Sequence, residues 1–128
     1  MNYGFTKKLS LSYEKALEKV REALSKEGFG VVADIDMAAT LKDKLGIEHR
    51  PYRILGACNP PNALRALQAE EEIGLMLPCN VIVYSSEDGS TRVAAINPVV
   101  AMEPVKNEKL NEVAEEISVK LKRVIENL

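Results

Sequence analysis

The sequence predicts an α+β two-layer sandwich: an antiparallel sheet of about five strands packed against two main helices and two short ones. Three observations lead there. Stretches of period-two apolar alternation are interleaved with stretches of helical spacing. Residues 79–84 and 91–97 flank a six-residue connection containing Asp88-Gly89, a strong hairpin signal. The chain is 128 residues long, 46% apolar and 28% charged, which suits one domain spanning residues 1–128 with a sizeable core rather than a disordered chain.

The first strand is expected near residues 3–9, with Tyr3, Phe5 and Leu9 on one face. A helix follows between Ser12, a suitable N-cap, and Gly28, a suitable stop. Its apolar positions are Ala16, Leu17, Val20, Ala23 and Leu24. Residues 29–36 read as a strand with Val31, Ala33 and Ile35 on one side and Val32, Asp34 and Asp36 on the other. A short helix over 37–45 ends at Gly46. The strand over 52–58 places Tyr52, Ile54, Gly56 and Cys58 together. Asn59-Pro60-Pro61 then opens a helix, because proline in a first turn removes amides that have no helical partner. That helix fades through Glu70-Glu71-Glu72 to Gly74. After the hairpin, Pro98 and Pro104 bracket an irregular stretch. A final helix over about 108–127 carries Leu110, Val113, Ala114, Ile117, Leu121, Val124 and Ile125 on one stripe.

Composition limits the function. Seventeen basic and 19 acidic residues give a net charge of −2, with 5% aromatics and no Trp. No polybasic stripe or base-stacking platform is available, so no nucleic-acid partner is expected. No apolar stretch is long enough to span a bilayer, and the first residues lack a signal-peptide core, so no membrane partner and a cytoplasmic location are expected. Two cysteines and one histidine exclude a disulfide-dense scaffold and a zinc finger built from Cys and His alone.

Three segments carry a family likeness: Gly28-Phe29-Gly30-Val31-Val32-Ala33-Asp34, Gly56-Ala57-Cys58-Asn59-Pro60 and Leu77-Pro78-Cys79-Asn80. In this order and spacing they resemble the family called domain of unknown function 302, over nearly the whole chain. The resemblance implies a fold like the TATA-box-binding-protein class, with a helix, an antiparallel sheet and a second long helix. It implies no activity, and fold does not transfer function.

The candidate site residues are Cys58, Asn59, Cys79, Asn80 and Arg53. Cys58 ends a strand and precedes a helix opening, where unpaired amides and the dipole would favour a thiolate. Cys79 opens a later strand and would approach Cys58 if the two strands are neighbours. Free cysteines are equally at home as small buried hydrophobes. Cys58, Cys79, His49 and Met102 are of a type to suit copper(I) or zinc, but their spacing makes no ligand motif, and no cofactor or metal is assigned. Arg50, Arg53, Arg65 and Arg92 would serve an anion pocket, or else pair with Asp34, Asp36 or Glu87. Asp36 is expected to cap the helix at Met37. No Gly-rich phosphate loop, nucleophile elbow or His-Glu-x-x-His motif is present. The expectation is a small-ligand-binding or accessory module acting as a homodimer. The alternatives are a thiol-based redox or soft-metal protein using Cys58 and Cys79, and an enzyme on a small anionic metabolite.

Overall fold

The computed structural model describes residues 2–128. Strand β1 (Gly4–Leu9) leads into helix α1 (Tyr13–Lys26), followed by β2 (Gly30–Asp36), α2 (Met37–Leu45), β3 (Tyr52–Cys58) and α3 (Pro60–Ala69). A 3₁₀ turn (Glu71–Met76) precedes the hairpin of β4 (Cys79–Ser85) and β5 (Thr91–Ile96). Then come the one-turn α4 (Pro98–Ala101), two further 3₁₀ turns and α5 (Asn111–Glu126). The five strands run in the order β1-β5-β4-β3-β2, every neighbouring pair antiparallel. The predicted α+β two-layer class is what the chain adopts.

Local chemistry explains most element ends. The Ser12 hydroxyl accepts from the Lys15 amide and caps α1. Asp36 caps α2 by accepting from the Ala39 amide, as expected. Gly46 ends α2 in the left-handed conformation that only glycine adopts without steric cost. The stretch between Pro98 and Pro104, expected to be irregular, contains helix α4 instead. Asn97 caps it, accepting from the Val99 amide, and Pro98 sits in its first turn.

One face of the sheet and the stripes of α1 and α5 enclose the core. Phe5 and Leu9 of β1, Leu55 and Ala57 of β3, Val81 and Val83 of β4, and Val93 and Ala95 of β5 meet Val20, Leu24, Ile117, Leu121 and Val124. Two expectations about facing are corrected. The pairing register of β2 shifts between Val31 and Ala33, so an extra residue, Val32, bulges outward. Val31 therefore packs on the core while Ala33 pairs with Gly56 on the opposite face. Beyond the bulge Asp34 pairs with Leu55 and points to the helix side. Tyr3 precedes the first ladder pair and does not follow Phe5 inward. It is 60% exposed and joins Gly4 and Thr6 on the side away from the core.

Candidate functional site

The adjacency of β3 and β4 decides the site. Ala57 pairs with Cys79 and Gly56 with Asn80, which brings the two cysteine positions to the same end of the sheet. A hollow of about 250 Å³ opens there, between the sheet end, α3 and α5. Cys58, Asn59 and Cys79 line it together with Phe29, Ala63 and Pro78. Its wall is apolar apart from the thiols and the Asn59 amide. Both cysteines are free. Cys79 is buried, and burial pushes its thiol up to about 11, with Cys58 nearby adding to the effect. Cys58 is only partly buried.

The helix opening beside Cys58 does not supply the amides expected of it. Pro60 and Pro61 occupy the first two positions of α3 and have no N–H. The Asn62 amide is taken by Asn59 Oδ1, and the Ala63 amide by the Asn59 carbonyl. The unpaired donors that would favour a Cys58 thiolate are therefore missing, and the expected activation lacks that physical basis.

Asn59 is a structural hub of the hollow's wall. Its Oδ1 also accepts from Asn62 Nδ2, and its own Nδ2 donates to the Glu27 carbonyl at the end of α1. Asn62 Oδ1 in turn accepts from Arg65, which is anchored on Glu116 of α5. Gly28 leaves room for this link, because a Cβ there would lie 3.1 Å from Asn59 Nδ2. Replacing Asn59 with alanine removes a helix cap and leaves the Asn62 amide unsatisfied in a buried setting. The expected loss is about 2 kcal/mol, readable as a lowered urea midpoint with an unchanged m-value.

The other candidates are not brought to the hollow. Asn80 is exposed on the opposite face of the sheet. Arg53 lies at the far end of β3, held by Asp34 and Asp36. Its hydrogen bond with Tyr13 and the Asp34 carboxylate raise its pKa above the usual arginine value, while its buried Nε has no partner. Asp34 also binds Arg21 of α1, so this cluster ties the sheet edge to the helix layer. The arginines do not converge. Arg50 reaches the Ser85 carbonyl and Glu87, Arg65 lies on α5's acids, and Arg92 binds Asp88. A shared anion pocket is thereby ruled out as their arrangement. The soft-ligand set is dispersed too: His49 sits edge-on to Tyr52, and Met102 lines a separate hollow beside Leu110. Among the described residues no three His, Cys, Asp or Glu side chains gather as a metal site, and no helix is long and apolar enough to cross a membrane.

Period-two reading did not anticipate a second hollow, of about 440 Å³, on the uncovered face of the sheet. Tyr3, Tyr52, Tyr84, Ile82 and Ile96 wall it, with Gly4 and Ala94 beneath. Tyr52 and Tyr84 are opposite each other in the ladder and stack at 5.4 Å between ring centroids. Partial burial, and then the neighbouring phenols of Tyr84 and Tyr3, raise the Tyr52 pKa. The sequence did hold a signal: alternate positions of β4 and β3 carry Ile82, Tyr84, Tyr52 and Ile54, as apolar as the buried set.

No curated protein matches the chain. The crystal structure of an uncharacterised conserved DUF302 protein from Bacillus stearothermophilus superposes with a TM-score of 0.91 at 28% identity, covering 98% of both chains. The family described as domain of unknown function DUF302 matches residues 5–128, so the Cys58–Asn59 and Cys79–Asn80 segments, the sheet and both long helices all fall within it, and the chain belongs to that family.

Proposed function

We propose that the chain is a small-ligand-binding module that acts as a homodimer, with the ligand held in the hollow beside Cys58, Asn59 and Cys79. The observation carrying this reading is that these three residues line one mainly apolar hollow. Ligand sites combine an apolar wall with a few placed polar groups. A volume of about 250 Å³ suits a compact molecule, aliphatic or monocyclic, with one polar group facing Asn59. The test uses phenol and short-chain carboxylic acids as probes, followed by amide chemical shifts. Shifts confined to Cys58, Asn59, Ala63 and Cys79, and abolished by the hollow-filling Ala63→Leu, are the expected result. An absence of localised shifts across the probes would remove the reading.

A second reading, a thiol-based redox or soft-metal protein, draws on the same two cysteines sharing one wall. It makes an ordered expectation. Iodoacetamide modifies Cys58 first in the native protein, while Cys79 stays unmodified until the chain unfolds. The raised Cys79 value also sets a pH trend. The unfolded thiol ionises near its ordinary value of 9.0 and the folded one near 11. Its contribution to stability is thus full below about 9 and is lost as pH climbs toward 11. Alkaline unfolding curves of the wild type and Cys79→Ala should differ in slope within that window. Rapid and equal modification of both native thiols would contradict the burial argument.

A further inference from the structure

We infer that the uncovered face of the sheet is the surface on which a second copy of this chain docks, sheet against sheet. This rests on the homodimer part of the preceding reading and adds where the copies meet. The helices α1 and α5 cover the other face, so the sheet presents Ile35 of β2, Tyr52 and Ile54 of β3, Ile82 and Tyr84 of β4 and Ala94 of β5 outward. Ala94 is 9% exposed yet lies outside the core cluster, as expected for a small residue at the bottom of an apolar groove. The charged side chains on this face, Lys8 and Arg92, are ladder partners at one end of it, with Arg92 next to Tyr84, and Thr6 and Asn80 are the polar residues lining the groove. An apolar centre with charge at the rim is the anatomy of a protein interface.

Shape selects the occupant. The stacked Tyr52–Tyr84 pair is a ridge, and the groove over Gly4 and Ala94 lies beside it. Under a two-fold axis, the ridge of each copy enters the groove of the other, which is what an isologous contact requires. Size agrees. Five strands about 4.8 Å apart and six residues long make a face of roughly 24 by 20 Å, so two facing copies cover about 1,000 Å² in projection and more once the side-chain relief is counted. A stable interface buries about 1,200–2,000 Å² in all, so the contact must use the whole face together with its side-chain relief. Two sheets meeting this way sit about 10 Å apart, close enough for such rings to interdigitate.

Sedimentation equilibrium of the full chain at about 50 μM tests this, with circular dichroism to confirm folding. The wild type is expected at twice its 14.1 kDa mass. Ala94→Arg fills the groove with charge, and Thr6→Arg does so at an exposed β1 position on the same face, where misfolding is not a concern. Both are expected to sediment as folded monomers, with a dissociation constant raised at least 100-fold. A wild type that is monomeric overturns both the dimer and this surface, and would be the outcome if a small molecule rather than a copy fills the groove. A dimer left intact by both variants overturns the surface alone. The ligand hollow shares no lining residue with this groove, so a failed probe experiment there leaves this result untouched.

Discussion

Leu121→Ala is expected to destabilise the fold by about 3–4 kcal/mol, a large part of the roughly 5–15 kcal/mol available to a domain of this size. Leu121 is completely buried in α5 and belongs to the cluster that joins both long helices to the sheet. Truncation removes its methyl groups from contact and leaves a void that close-packed neighbours refill only in part. Thermal unfolding should fall by roughly 10–15 °C. A shift under 3 °C would mean that the α5 stripe tolerates collapse far better than its burial indicates. The far-ultraviolet spectrum at low temperature should stay that of the wild type, since the loss is one of packing.

Gly56→Val is expected to cost about 3 kcal/mol and to deform the thiol hollow as well. A Cβ built at Gly56 would lie 2.6 Å from Pro78 Cγ and 3.1 Å from Ala33 Cβ. Neither neighbour is the free end of a flexible chain. Relief requires the Pro78 ring to move, and Pro78 both precedes Cys79 and lines the hollow. Stability and Cys79 protection should therefore decline together. Gly56→Ala is expected to show the same pair of effects at smaller size. A Gly56→Val protein as stable as wild type, with Cys79 still unreactive, would show that β3 and Pro78 separate freely.

The sequence was most legible where one local rule acted alone. The α1 and α5 stripes, the Asp88-Gly89 hairpin and the Asp36 cap follow from spacing or from a single hydrogen bond, and each lies where it was expected. The β2 facing pattern was not legible, because a bulge at Val32 breaks a period of two without leaving a compositional mark. The four-residue α4 was not legible because Pro98 and Pro104 read as breakers, although Pro98 stands in its first turn. Of the candidate residues, Cys58, Asn59 and Cys79 line one hollow, because β3 and β4 pair. It could not separate Asn80 from them, since adjacent residues in a strand face opposite sides. It also credited the α3 opening with free amides that the two prolines and the Asn59 cap remove.

The sheet order has a consequence for how the chain is made. β1 is first in sequence, yet its only ladder partner among the described strands is β5, residues 91–96. Its Lys7 amine is anchored even later, on the Glu126 and Leu128 carbonyls. A ribosome that has released α1, β2 and β3 has therefore released a partial sheet with β1 still unpaired. The central hairpin must emerge before either edge can be joined through the middle, and α5 must follow to cover it. Folding during synthesis is thus held back until β5 and α5 have emerged, and a nascent chain stalled before residue 91 should remain open to proteolysis while one carrying α5 resists it.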